Sequence, residues 1–359
     1  MQLVNLLRKK HRKTLFTTPS HSQEFCIFHK LRNMYLLDVS ETETHNPQIA
    51  LEQSESCIAK IYGTKKTKFL TNGSTSGILA AVLTCVKSDE KVLLWSGAHV
   101  CHHNAVKLAG ATPVYYDMPI DLNWGVPIGV SAKTLEKELK SQCIKAVIVT
   151  SPTYEGFVSN IREIKRLCEK YDAYLIVDEA HGALYPFSDE LPESAVKIAD
   201  FTVQSLHKTA GGLNPTALLH TNTDLDVDMA LSLISTTSPS YPILASIEKN
   251  VHFLNSVRGR KKIENLIKQI KVLRKNCPQV QFGGDDITKI LVRIEGMSAE
   301  ELSEKLFGVY NIEDERTNLK STMLLCGIGT STNALKRLTV ALNSLKKDKA
   351  AHKPRSVSR

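Results

Sequence analysis

Val203-Gln204-Ser205-Leu206-His207-Lys208, followed by Thr209-Ala210-Gly211-Gly212-Leu213, is the stretch around which the chain reads. A short apolar run ends in Ser-Leu-His-Lys, and small residues come next. A lysine at the end of a strand and before small residues suits a buried amine that must reach a bound group. Upstream stands Tyr174-Leu175-Ile176-Val177-Asp178-Glu179-Ala180-His181-Gly182, a second apolar strand that ends on an aspartate. Further upstream, Lys68-Phe69-Leu70-Thr71 is a short strand broken by Asn72-Gly73. Ser74-Thr75-Ser76 then opens an apolar helix from Ile78 to Val86. Helix N-terminal N–H groups, hydroxyls and the positive dipole end together favour an anion such as phosphate. Taken alone, the same stretch also reads as an ordinary Ser/Thr N-cap.

The segments between these stretches alternate. Lys91 to Trp95, Pro113 to Tyr116 and Ala146 to Thr150 are strands, and helices are expected over 48–62, 102–109, 131–141 and 160–171. Strands that are apolar throughout, each separated by a helix, predict a parallel sheet covered on both faces. In such sheets ligands gather at the carboxyl ends of the strands. His99, Tyr154, Asp178 and Lys208 each lie at or just past such an end. After residue 250 the pattern changes. One long basic and apolar helix is expected over 246–275, closed by Asn276-Cys277-Pro278. Strand Lys289 to Ile294, helix Ser298 to Phe307, strand Ser321 to Cys326 and helix Thr330 to Leu345 follow. This predicts a small α+β domain.

At 359 residues the chain is long for one ordinary core, so one large and one small domain are expected. The divisions fall at 1–45 (an N-terminal helix over 1–13 and a connector through Phe16 to His21), 46–250, 251–345 and a basic, disordered tail 346–359. No run approaches the ~18 apolar residues of a membrane span. Residues 1–13 place the basic run after the apolar one, the wrong order for a signal peptide. Eight cysteines without a Cys-x-x-Cys pair read as free thiols of a cytoplasmic protein. Cys101 beside His99, His102 and His103 lacks a partner pair at zinc-like spacing, so no metal is expected. The net charge of +9 lies partly at the ends and has no nucleic-acid module with it, so no nucleic-acid partner is expected.

The order phosphate loop, strand-end aspartate, strand-end lysine points to a pyridoxal-phosphate enzyme. Together these stretches resemble the ornithine/lysine/arginine decarboxylase family of fold-type-I pyridoxal-phosphate enzymes. The resemblance runs from residue 1 to about 345. It is most specific at Asn72 to Gly77, Val177 to Gly182 and Gln204 to Lys208, with support from Thr237-Ser238-Pro239-Ser240-Tyr241 and from Tyr310 to Glu315. It implies the aspartate-aminotransferase type of α/β fold, with a mostly parallel seven-stranded sheet and a smaller α+β C-terminal domain. It implies that Lys208 holds pyridoxal phosphate covalently and that Asp178 pairs with its pyridine nitrogen. Thr75, Ser76, Ser205 and His207 are expected at the phosphate. His99 is expected to stack on the ring, and His181 to lie near its other substituents. A homodimer is implied, with Thr237 to Tyr241 near the neighbour's cofactor.

The chemistry assigns the central roles independently. Losing CO2 from an amino acid leaves a carbanion that needs an electron sink, and a carboxylate at Asp178 keeps the sink protonated. The expected activity is decarboxylation of lysine, arginine or ornithine. A cationic side chain needs an anionic end to its pocket. Glu315, Glu155 and Glu43 are the candidates, in that order. The chain departs from the family at Pro19-Ser20-His21-Ser22, at Glu41 to Thr44, at Val100-Cys101 and at Asn214-Pro215, mostly in substrate-facing segments. It is expected to be a short form, without the large extra N- and C-terminal domains of longer members. Two alternatives stay open: another reaction of the same cofactor, such as an aminotransferase or lyase, and a non-catalytic paralogue with a binding or regulatory role.

Overall fold

The central strands bury alternate side chains in two separate cores. The structure, a computed structural model, describes residues 2–10, 34, 36–40, 42, 46 and 48–351. Residues 16–21, Glu43 and 352–359 lie outside the described residues, as do three of the four residues in 44–47. The strands, in chain order, are β1 (Lys66–Leu70), β2 (Lys91–Trp95), β3 (Thr112–Tyr116), a short hairpin of β4 (Ile120–Asp121) and β5 (Val126–Pro127), β6 (Ile144–Thr150), β7 (Tyr174–Asp178), β8 (Phe201–Ser205) and β9 (Ala217–Thr221). Seven of them form one sheet in the order β1-β9-β8-β7-β6-β2-β3. On one face Leu94, Ile148, Ile176 and Val203 pack under helix Gly73–Cys85. On the other face Leu93, Val147, Leu175 and Val177 pack under helices Ala132–Ser141 and Ile161–Lys170. Successive residues of a strand point to opposite faces, so two covered faces require an unbroken apolar run. A Cβ on Gly77 would come within 2.7 Å of Val203 Cγ1, so glycine here lets helix Gly73–Cys85 lie close on the sheet.

The sheet is parallel except for β9, which runs antiparallel to both neighbours, β1 and β8. This strand was not expected from the sequence. The link from Ser205 to Ala217 is too short for a crossover helix, so the chain returns beside β8 in the antiparallel sense. The six strands other than β9 therefore deliver their carboxyl ends to one edge.

Two expectations need correction. The single helix over 246–275 is two helices, Tyr241–Leu254 and Val257–Asn276. Ser256 caps the second by accepting from the Gly259 N–H, at 3.1 Å. A Cβ on Gly259 would sit 2.0 Å from the Phe253 carbonyl oxygen, so the corner closes only on glycine. The expected division at residue 250 thus falls inside a helix. The last helix, Thr332–Ala351, also runs past the expected end at Leu345.

The C-terminal domain carries β10 (Gln281–Gly283), β11 (Lys289–Arg293), β12 (Arg316–Thr317) and β13 (Thr322–Leu325) in the order β10-β11-β13-β12, all antiparallel. At the other end of the chain, helix Gln2–Lys10 buries Leu3 and Leu7. The Leu3 and Val4 N–H groups donate to the Glu248 carboxylate at 3.2 and 3.0 Å, an anionic cap on a helix N-terminus. Among the described residues no helix is long and apolar enough to cross a membrane.

Candidate active site

β7 and β8 end side by side, and each delivers one ionisable group. β7 ends on Asp178. β8 runs into the single helical turn Leu206–Thr209, which carries Lys208. Both residues line a cavity of about 690 Å³ at the carboxyl edge of the sheet. His181, three residues past Asp178, stands between them and the C-terminal domain. Its Nε2 is 3.1 Å from Lys208 Nζ.

Asp178 is held as an anion. Burial is the largest single influence and works against its charge, but His102, Lys208 and the Ala180 N–H together outweigh it. Together they hold the carboxyl at about 2. His102 Nε2 is 2.8 Å from Asp178 Oδ2, and the Ala180 N–H donates to Oδ1 at 3.1 Å. His102 is fully buried on helix Val100–Leu108. The sequence reading missed its role. The available signal was spacing: His102 lies one turn past His99, so both sit on the helix face that meets the strand ends. His99 is the N-cap of that helix, with Nδ1 accepting from the Cys101 N–H at 3.3 Å, and it lines the cavity.

Lys208 and His181 are biased towards their neutral forms. Burial lowers the lysine, Asp178 pulls the other way, and Lys289 lowers it again. His181 is pushed well below the ordinary histidine value by burial, then by Lys289 and Lys208. Its ring packs 4.6 Å from that of Tyr154.

The expected phosphate end is rearranged in detail. Helix Gly73–Cys85 starts at Gly73, whose positive φ of 71° lets its N–H donate to the Pro215 carbonyl at 2.9 Å. Ser74 therefore lies in the first turn and reaches the cavity. Ser76 is buried and donates back to the Gly73 carbonyl at 2.8 Å. Thr75 is exposed, and its side chain meets the Cys101 thiol. Ser205 is fully buried at the end of β8, and its hydroxyl has no hydrogen-bond partner among the described residues. His207 Nδ1 is 2.9 Å from the Thr216 carbonyl oxygen.

The substrate-facing candidates also separate. Glu155 is 1% exposed and lines the cavity, and its Oε2 has no hydrogen-bond partner among the described residues. Burial raises its pKa, with Arg316 opposing; Arg316 Nε lies 3.7 Å from Oε1. Glu315 is exposed and accepts a hydrogen bond from the Tyr154 hydroxyl. Arg316, which the sequence reading did not single out, lines the cavity with its guanidinium 5.0 Å from the Tyr154 ring centre. Glu43 lies outside the described residues. Cys101, His102 and Asp178 bring ligand atoms within 4.8 Å of one another. Of these, His102 and Asp178 already bond each other, and burial pushes the thiol up to about 12.

Residues 36–313 match the major domain of the Orn/Lys/Arg decarboxylases. The chain belongs to the Orn/Lys/Arg decarboxylase family. It is 29% identical over 326 residues to an arginine decarboxylase of Bacillus anthracis, covering 84% of this chain and 66% of that protein. The solved lysine decarboxylase of Francisella novicida superposes with a TM-score of 0.85 at 19% identity, over 98% of this chain and 60% of that one. A Bacillus subtilis ureidoglycine-glyoxylate aminotransferase superposes at 0.67 with 13% identity, over 90% of each chain. The chain thus spans about two thirds of the arginine decarboxylase it matches. The fold is that of the fold-type-I pyridoxal-phosphate enzymes, and the family depends on that cofactor. The site of this family member fits it: a carboxylate held charged, a half-buried amine, Ser74 at a helix N-terminus, and the buried Ser205 hydroxyl and His181 Nδ1 without partners among the described residues.

Proposed function

We propose that the chain is a pyridoxal-phosphate-dependent decarboxylase of a basic amino acid: lysine, arginine or ornithine. The observation that carries the reading is the placement of Asp178, His181 and Lys208 at one end of a cavity whose wall includes the buried Glu155. When bound, pyridoxal phosphate supplies the sink for the electron pair left as CO2 departs. Lys208 is the residue that would hold it, Asp178 would face its ring nitrogen, and Ser74, Ser205 and His207 would serve its phosphate.

The protein's own groups do the rest. Asp178 stays ionised because His102 donates to it, so the positive charge it faces is kept in place. Lys208 Nζ and His181 Nε2 can pass a proton between them and deliver one to the substrate Cα from Nζ. Glu155 offers an unpartnered carboxylate oxygen to a cationic side chain. A buried charge without a partner is costly, so a cationic group there is bound and a neutral one is disfavoured. Arg316, beside Glu155, offers the guanidinium that an α-carboxylate requires.

A homodimer belongs to the same proposal. Helices Val100–Leu108 and Asp228–Ile234 both pack on helix Gly73–Cys85. They expose Val100, Leu108, Met229 and Leu233, an apolar face suited to a second copy, with Thr237 to Tyr241 nearby in the chain. Sedimentation at assay concentration is expected to give a dimer; an active monomer contradicts it.

The activity is tested by CO2 release from carboxyl-labelled lysine, arginine, ornithine, glutamate and tyrosine. Release from one or more of the first three is expected. Release from glutamate or tyrosine alone removes the basic-substrate reading and leaves the cofactor assignment standing. A keto acid without CO2 makes the enzyme an aminotransferase.

A further inference from the structure

His181 also meets a buried ammonium through its backbone. Lys289, at the start of β11 in the C-terminal domain, is fully buried. Its Nζ donates to the His181 carbonyl at 3.1 Å and to Asp286 Oδ2 at 3.0 Å. Asp286 is also fully buried, and it accepts from the Tyr185 hydroxyl at 2.9 Å and from the Thr288 N–H at 2.8 Å. A buried lysine is rare because removing an ammonium from water costs several kcal/mol, and the pair recovers this only with good geometry. A bland reading makes it a staple between the two domains. Three observations go further.

First, the amine binds the backbone of His181, so it fixes the residue whose ring, among the described residues, hydrogen-bonds Lys208 Nζ. Second, the loop carrying Glu155 is built directly against it: a Cβ on Gly156 would meet Lys289 Cγ at 2.7 Å, and the Gly156 carbonyl accepts from the Asp285 and Asp286 N–H groups, each at 2.9 Å. Third, burial is the largest influence on Lys208, and the main charges acting on it are mixed in sign. Asp178 reaches it from β7, Glu315 from the C-terminal domain and the Cys101 thiol from helix Val100–Leu108, while His99 and His181 are both shifted towards neutrality. Lys289, with Asp286 as its counter-ion, is a fixed cation that opposes them.

We propose that Lys289 is a positioning residue of the active site: its ammonium anchors His181 against Lys208 and supplies the positive field that keeps the Lys208 amine available in its neutral form. The ammonium, not the carboxylate of its partner, faces His181, because Asp286 points to Tyr185 and Thr288. The role rests on the proposed use of Lys208, and it can be tested without the cofactor.

The experiment compares Lys289→Gln, which keeps a donor for the His181 carbonyl but loses the charge, with Lys289→Arg, which keeps the charge. The full-length chain, freed of cofactor, is labelled with acetic anhydride across a pH series. The extent of acetylation at Lys208 is read by mass spectrometry. Removing a nearby positive charge makes protonation of Lys208 easier, so Lys289→Gln is expected to raise the labelling midpoint by about one pH unit, while Lys289→Arg keeps it near the wild-type value. The pH profile of the loaded enzyme is expected to move the same way. If Lys289→Gln does not fold, Lys289→Gln/Asp286→Asn removes the charge without stranding Asp286, and a smaller rise is expected because the opposing Asp286 charge is lost with it. A folded charge-free variant whose Lys208 midpoint stays at the wild-type value overturns the proposal and leaves Lys289 a domain staple. The two proposals fail separately: a wild-type chain that binds no pyridoxal phosphate removes the proposed function, whatever the labelling shows.

Discussion

The two ends of the cavity are built differently. At the floor, Asp178, His181, His102 and Lys208 stand on the ends of β7 and β8 and on the buried face of helix Val100–Leu108, and each ionisable group has a partner within about 3 Å. At the rim, Glu155 and Tyr154 come from the loop after β6, and Glu315 and Arg316 come from the C-terminal domain. The rim ion pair is open at 3.7 Å, Arg316 is half exposed, and a Glu155 oxygen is left without a partner among the described residues. Strand ends are positioned by the sheet itself, so a floor of this kind is rigid and suits chemistry common to a family. Loops and a domain boundary can be re-aimed at small cost, so a rim of this kind suits the choice of substrate.

If this division is right, variants at the floor act on turnover and variants at the rim act on KM. The largest effect is expected from Lys208→Ala, with turnover falling on the order of a thousandfold or more, as removal of a proton-carrying group typically gives. Stopped or steady-state CO2 release measures it. Next comes Asp178→Asn, where loss of a preorganised charge costs roughly 100- to 1000-fold in kcat while circular dichroism stays native. An Asn variant with near-full turnover makes Asp178 a residue that only closes the turn at Ala180 instead.

A smaller effect is expected at His102, and its sign follows from the shift. Asp178 is held at about 2, below its ordinary value of 3.8, so it adds stability above pH ~4 that is lost as pH falls towards 2. In His102→Leu burial acts on Asp178 with its main partner gone, and the carboxyl rises. The variant should lose that stability, with kcat down roughly 10- to 100-fold and the acid limb of the pH profile moved to higher pH. A profile superposable on wild type breaks the link between the two residues. The smallest effects belong to the rim. Glu155→Gln should raise KM for the basic substrate about tenfold, or ~1.4 kcal/mol, with kcat and cofactor binding little changed. Glu315→Gln should do so only a few-fold, because it is exposed. A kcat loss at Glu155 equal to that at Asp178 would erase the distinction between floor and rim.

The same division explains what the sequence made legible. Floor residues end hydrophobic runs, and a run that stops on Asp178 or just before Lys208 can be seen without knowing the fold. His102 could not be assigned its role in that way, since its partner depends on which face of its helix meets the sheet. Lys289 was hidden more deeply: a lysine at the start of a strand reads as solvated, and His181, its partner, is far away in the chain. Among the rim candidates, the sequence ranked Glu315 above Glu155, whereas burial and the unpartnered oxygen favour Glu155. In the fold, β9 escaped notice because its pairing depends on a short return from β8. The break at Ser256 escaped because the apolar and basic spacing continues across it.

The role of the Lys208 amine is tested most directly by incubating the purified chain with pyridoxal phosphate, reducing with borohydride and mapping the modified lysine by mass spectrometry. A single phosphopyridoxyl group on Lys208, absent from Lys208→Ala, is the expected result. The same group on another lysine, or on none, contradicts the assignment of the strand-end lysine and with it the reading of the cavity floor.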